Sequence, residues 1–163
     1  DELVNQQLAK MLFANPQRID YYDRYQEIID AYNAEQNRAT IEKTFMDLME
    51  LASSLDTEQQ RYVREGFSSD EELSVYDLLF SENLTKQEIE TIKKVSVDLL
   101  TKIKQQIAKL DHWTDKQETK AIVDNLIRNT LWQELPNSYD VNDIQTYQKK
   151  IYEYVYMRYP EVA

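Results

Sequence analysis

Apolar residues recur at intervals of three and four along nearly the whole of this 163-residue chain. No stretch shows the alternating pattern that a half-buried strand requires. One glycine and three prolines are all that interrupt it. A chain so patterned is predicted to be all-α, because the 3.6-residue period puts such residues on one stripe of a helix. Its length fits one domain, of a size that buries roughly 68–70% of its unfolded surface.

The pattern resolves into about eight helices. Leu3, Val4, Leu8, Met11 and Leu12 make the first stripe, and Asn15-Pro16 ends it, since a residue before proline avoids the α region. A tyrosine-rich helix follows to about Ala34, then a polar connector over Glu35 to Ala39. Ile41, Phe45, Leu48, Ala52 and Leu55 mark a third helix, and Asp56 with Gln59 reads as the start of a short fourth. Gly66 stands where a helix ending near Glu65 wants a left-handed residue. Ser69 with Glu72 opens the helix of Leu73, Tyr76, Leu79 and Phe80. Thr85 with Glu88 is the clearest capping box. It starts the longest helix, Lys86 to Asp111, with Ile89, Ile92, Ser96, Leu99, Ile103, Ile107 and Leu110 on one side. His112-Trp113 is a corner, and Thr114 with Gln117 restarts a helix carrying Val123, Leu126, Ile127 and Leu131. Leu135-Pro136-Asn137-Ser138 is a turn, and a last helix from about Asn142 to Arg158 stops at Tyr159-Pro160. No internal repeat, low-complexity segment or linker is visible, so residues 1–163 are expected to form a single domain around the long helix.

Composition removes several chemistries. Without cysteine there is no disulfide, thiol nucleophile or Cys-ligated zinc, and cytoplasm is the default location. No apolar run nears the ~18 residues of a membrane helix, and no signal peptide shows. Asp1 directly precedes an amphipathic pattern, so the chain is expected to begin inside a longer protein. The net charge of −11 opposes non-specific DNA binding, which runs on phosphate neutralisation. There is no glycine-rich phosphate loop, no Gly-x-Ser-x-Gly elbow, and a single histidine.

The weaker signals have plain readings. Glu118-Thr119-Lys120 after Asp111 and Asp115 resembles a nuclease spacing. In a helical window, however, residues two apart diverge by ~200°, and Lys120, Asp124 and Arg128 instead have i,i+4 ion-pair spacing. His112 beside Trp113 is better read as an aromatic corner than as a catalytic base, because no acid or nucleophile is marked nearby.

The most distinctive segment is Asn15 to Asn33, with four tyrosines in residues 21–32. At ~100° per residue, Tyr21, Tyr25, Ile28 and Tyr32 share one side, and Asp20, Asp23, Glu27 and Asp30 fall roughly opposite. The acids read as a solvated face, lacking the oxygen-rich loop of a calcium site. On the last helix, Ile144, Tyr147, Ile151, Tyr154 and Val155 suffice for a buried stripe. Tyr152, Tyr156 and Tyr159 then form a second one, either packed within the domain or kept for a partner.

One resemblance runs from about Met11 to Tyr159. Asn15-Pro16-x-Arg18-Ile19-Asp20, Arg24-Tyr25-Gln26, Ile28-Ile29, Tyr32-Asn33 and Ile41-Glu42-x-x-Phe45 carry its first half, with Arg64-Glu65-Gly66, Glu72-Leu73 and Asp77-Leu78-Leu79. Ile92-Lys93, Asp111-His112-Trp113, Leu135-Pro136-x-Ser138-Tyr139, Val155-Tyr156 and Tyr159 carry the rest. Together they resemble the C-terminal helical domain of the motor (endonuclease) subunit of type I restriction enzymes. Tyr76 stands where that pattern has phenylalanine, which leaves its role intact. The resemblance implies a parent chain with a nuclease domain and two helicase-like lobes, which use ATP and Mg outside this segment. Within the segment it implies no catalytic residue, cofactor or metal. It implies an assembly role, joining the motor to the methyltransferase (modification) and specificity subunits and reaching DNA through the whole complex, with no membrane. The surfaces expected to meet a partner are Tyr21, Arg24 and Tyr25 on the tyrosine helix, and Tyr152, Tyr156 and Tyr159 on the last. The alternative is a DNA-backbone contact by basic residues such as Arg61, Arg64, Lys93, Lys94 and Lys104.

Overall fold

The computed structural model describes residues 2–161. Asp1, on which the reading of a chain beginning inside a longer protein rests, lies outside the described residues. Among those described there are eight α-helices, two short 3-10 turns and no strand, as the periodicity predicts. The chain divides into two compact units, residues 1–74 and 75–163.

The first unit contains α1 (Glu2–Ala14), α2 (Ile19–Ala34), α3 (Arg38–Gln59), α4 (Arg61–Arg64) and the start of α5 (Asp70–Leu79). Asn15 does end α1. Its carboxamide oxygen accepts from the Gln17 amide and caps a 3-10 turn, Pro16–Arg18, that re-aims the chain into α2. Val4, Leu8, Met11, Leu51 and Leu55 form the core, and Tyr21, Tyr25 and Ile28 of α2 lie against it, partly buried. The opposite acids Asp20, Asp23, Glu27 and Asp30 are exposed, as their spacing predicts.

Two boundaries differ from the sequence reading. The connector shortens to residues 35–37, because Asn37 caps α3 by accepting from the Thr40 amide. No helix starts at Asp56: α3 runs on to Gln59, and the Thr57 hydroxyl bonds back to the Ser53 carbonyl, as in a helix interior. Gly66 has φ +86°, the left-handed conformation expected of it.

The polar centre of this unit escaped sequence reading. Arg18, 4% exposed, donates Nε to Glu58 Oε2 at 2.8 Å. Its Nη1 and Nη2 fork onto both oxygens of Asp70 at 3.0 and 2.6 Å. Glu58, also buried, takes a second fork from Arg61 at 2.8 and 3.1 Å. One guanidinium thus ties the turn before α2 to the end of α3 and the start of α5. The Ser74 hydroxyl adds a bond to the Ala14 carbonyl at 2.9 Å.

The second unit holds the rest of α5, α6 (Lys86–Ala108), α7 (Gln117–Glu134) and α8 (Val141–Arg158). The Thr85–Glu88 capping box starts α6 as predicted. Ile92, Ser96, Leu99, Ile103 and Ile107 are buried along it, and Ser96 hides its hydroxyl on the Ile92 carbonyl. α6 packs on α7, and α7 on α8. α7 starts at Gln117 and not by a Thr114 cap. It is Thr119 whose hydroxyl reaches back to the carbonyls of Trp113 (2.6 Å) and Lys116 (3.1 Å). α8 opens on a reciprocal box between Asp140 and Asp143, which the sequence reading passed over. Glu118-Thr119-Lys120 lies in α7, so its helical reading holds and the strand geometry of the nuclease spacing does not.

Burial would push the Glu58 carboxyl up, but hydrogen bonds from Arg61 and Arg18 outweigh it and hold it below its ordinary 4.5. A depressed folded value stabilises the fold above the unfolded one and is lost as pH falls through the folded one. The first unit should therefore lose stability in acid below about pH 4.5, and Glu58→Gln should flatten that dependence in urea titrations followed by circular dichroism. At neutral pH, Arg18→Ala should cost roughly 2–4 kcal/mol by leaving buried acids undercompensated, and Arg18→Met with Glu58→Leu should recover at least half of it.

Candidate docking surfaces

Each sequence-predicted contact residue has a definite place. Tyr21 and Tyr25 are brought together on the inner side of α2, against the core of the first unit, and Arg24 is exposed. Burial pushes the Tyr21 phenol up, and the neighbouring Glu58 carboxylate adds to it. These two tyrosines offer a partner only their outer edges.

Trp113 organises the other three. It is fully buried, and its indole N–H donates to the Tyr159 carbonyl at 2.8 Å. Tyr152 and Tyr156 stand edge-on to it, with ring centroids 6.0 and 5.8 Å away. Tyr159 is buried at 6% exposed, in edge contact with Tyr154. Tyr156 is exposed and Tyr152 half-buried, its phenol pushed up by burial, by Asp124 and by Tyr156. Tyr152, Glu153, Tyr156, Met157 and Lys120 line a shallow groove of about 370 Å³. The second stripe of α8 is therefore split, with Tyr159 spent on the fold and Tyr152 and Tyr156 left at a surface.

The corner keeps Trp113 inside and His112 outside. His112 takes a left-handed φ of 47°, which puts its ring at the surface near Asp111 (3.4 Å) and Glu161 (3.9 Å). Among the described residues no group of three or more His, Asp or Glu side chains could hold a metal ion. Asp98 and Glu134 are bridged by Lys102 at 2.9 and 3.1 Å. Burial and Asp98 push Glu134 up, while hydrogen bonds hold Asp98 down. This triad joins α6 to α7.

The first unit also leaves part of the α3 stripe uncovered. α3 buries its C-terminal residues Leu51 and Leu55. Its N-terminal half leaves Ile41, Phe45, Met46 and Met49 at 49%, 64%, 66% and 57% exposure. The i, i+4 spacing was readable, but the end of the helix at which cover stops was not.

The basic residues of the alternative reading are mostly committed to their own units. Arg61 serves Glu58, and Arg64 donates to the Thr57 carbonyl at the end of α3. Lys93 lies over the Tyr76 ring and Lys104 over that of Tyr159, at 5.9 and 5.5 Å.

Both units are all-α, the first tied by an internal ion-pair network and the second by aromatic corners, and each leaves apolar side chains on an outer face. The chain belongs to the family described as type I restriction enzyme HindI endonuclease subunit-like, C-terminal, which matches residues 1–159. It is thus a C-terminal domain of the endonuclease subunit of a type I restriction enzyme. No curated protein and no solved structure matches it. No helix among the described residues is long and apolar enough to cross a membrane.

The buried Trp113 corner and the exposed Tyr156 of α8 should respond differently to substitution. Trp113→Phe removes an indole bond and core volume and should cost roughly 2 kcal/mol, whereas Tyr156→Ser should cost well under 1 kcal/mol. Urea unfolding curves of the two variants check this.

Proposed function

We propose that the chain is a non-catalytic assembly domain. It docks the ATP-dependent translocase and nuclease of its parent subunit onto the methyltransferase and specificity subunits of a type I complex. In this reading residues 1–163 act as one docking domain of a longer chain, and binding energy alone positions the motor on DNA that the core already holds.

The observation that carries the reading is family membership combined with apolar side chains kept on outer faces. Ile41, Phe45, Met46 and Met49 on α3, and Tyr156 and Met157 on α8, are surplus to the cores beside them. Large apolar and aromatic side chains on an open face are what protein interfaces use. Arg61, Arg64, Lys93 and Lys104 are engaged within their own units and the net charge is −11, which favours a protein contact over a phosphate contact.

The test is direct. The chain is mixed with its cognate methyltransferase core, without DNA, and complex formation is followed by sedimentation velocity. Association in the micromolar range is expected, weakening by less than about tenfold between 50 and 200 mM salt, where a contact to several phosphates would lose ~10³-fold or more. A folded chain that fails to bind the core at tens of micromolar would remove the docking reading. A steep salt slope with DNA alone would favour the backbone-contact alternative.

A further inference from the structure

We propose that the open face of α3 is the docking seat for one kind of occupant: an amphipathic helix of a partner protein whose apolar stripe is flanked by lysine or arginine. The proposal takes its setting from the docking reading, but names a surface and a chemistry which that reading leaves open.

The shape follows from helix geometry. Ile41, Phe45 and Met49 are spaced four apart, so they form a stripe ~12 Å long that drifts slowly around the helix. Met46 lies three residues from Met49 and widens it. The four side chains expose on the order of 500 Å², near the upper end of what monomeric proteins leave open. Two of them are methionines, whose unbranched thioethers fit varied partner surfaces. A helix laid in such a seat is read by anchors at i, i+3, i+4 and i+7.

Charge selects the occupant. Glu42 stands three, four and seven residues from Phe45, Met46 and Met49, so a carboxylate lies amid the apolar patch. Glu50 is four residues beyond Met46 and Asp56 seven beyond Met49, and both are exposed. The two basic residues of α3 pair with two of its acids, Arg38 with Glu42 and Lys43 with Asp47, so the surplus negative charge of its exposed surface falls to Glu50 and Asp56. The wider field has the same sign. Residues 1–74 carry seven Lys and Arg against sixteen Asp and Glu, a net −9, while residues 75–163 carry twelve against fourteen, a net −2. Nearly all the charge excess of the chain thus belongs to the unit that bears the open stripe. Such a field repels a second copy of this unit, an anionic membrane surface and nucleic acid alike. It attracts a cationic helix and speeds its arrival.

The four methionines are built-in reporters. Met11 is in the core, Met46 and Met49 are on the stripe, and Met157 is exposed on α8. The full chain, labelled at its methionine methyl groups, is titrated with a synthetic helix of about 18 residues carrying a leucine stripe flanked by lysines. A control peptide has every lysine replaced by glutamate. The lysine peptide should bind at least about tenfold more tightly, since flanking charges of the right sign bring several favourable pairs at once. It should move the Met46 and Met49 signals and leave Met11 and Met157 in place. Phe45→Ala with Met49→Ala, both at exposed positions, should keep the helical circular dichroism and lose the binding at least tenfold. Equal binding of the two peptides, no binding, shifts at Met157 alone, or self-association of the free chain through Met46 and Met49 would each overturn the proposal. The same double variant is then mixed with the methyltransferase core. If the wild-type chain binds the core and the variant binds equally well, docking stands and this seat falls. If the wild-type chain fails to bind the core, docking falls, and the peptide result judges the seat alone.

Discussion

One guanidinium decides the arrangement of the first unit. Arg18 meets Glu58 and Asp70, which are 40 and 52 residues further along the chain, and offers each a donor edge of fixed geometry. Beside it lies an apolar cluster of Val4, Leu8, Met11, Leu51 and Leu55, with Tyr21, Tyr25 and Ile28 partly buried against it. Apolar contacts bring helices together without fixing their registry, because dispersion and burial are non-directional. A forked bond is directional. Taking charges out of water costs much of what their attraction returns, so such a network contributes more to the uniqueness of the arrangement than to its net stability. That is why Asn15, Arg18, Glu58 and Ser74 all sit buried at the junction of three helix ends.

The second unit solves the same problem with aromatic groups. Trp113 fills the corner after α6 while its N–H pins the end of α8 through Tyr159. The Tyr139 hydroxyl does the same for α5 by donating to the Leu79 carbonyl at 2.5 Å, and burial drives its phenol far up. In both cases a large apolar body supplies area and one polar atom supplies direction. The left-handed backbone at His112 is the local cost of this corner: the chain must reverse there so that Trp113 can point inward.

Helix type and number were legible because period, capping and the scarcity of glycine all agree. The Thr85 box and Gly66 are local codes, complete within four residues, and both hold. What was not legible depends on partners distant in sequence. Asp56 to Gln59 has the composition of a helix start, but nothing nearby reveals that Glu58 will be drawn inward by Arg18. Arg18 sat in the most distinctive motif of the chain and still passed as part of a pattern, since a charged residue gives no periodic sign of burial. Of the expected second stripe, Tyr152 and Tyr156 lie on α8, whereas Tyr159 follows its last residue, Arg158, with a non-helical backbone. Only the position of Trp113 separates the tyrosine consumed by the fold from the two left outside.

The open stripe on α3 takes its meaning from the same contrast between local code and distant partner. A helix carrying Ile41, Phe45 and Met49 at perfect spacing is locally a core helix, and its C-terminal half behaves as one. Leaving the other half open carries an aggregation liability that most soluble domains avoid. A dense negative charge on the same unit lowers that liability, because identical units repel before their apolar faces can meet. The repulsion acts only on anionic neighbours, and a cationic partner meets the same face with its charge reversed. Charge thus suppresses self-association and admits a chosen partner through one surface, so the −9 of the first unit and its uncovered apolar stripe are best understood as two parts of a single device.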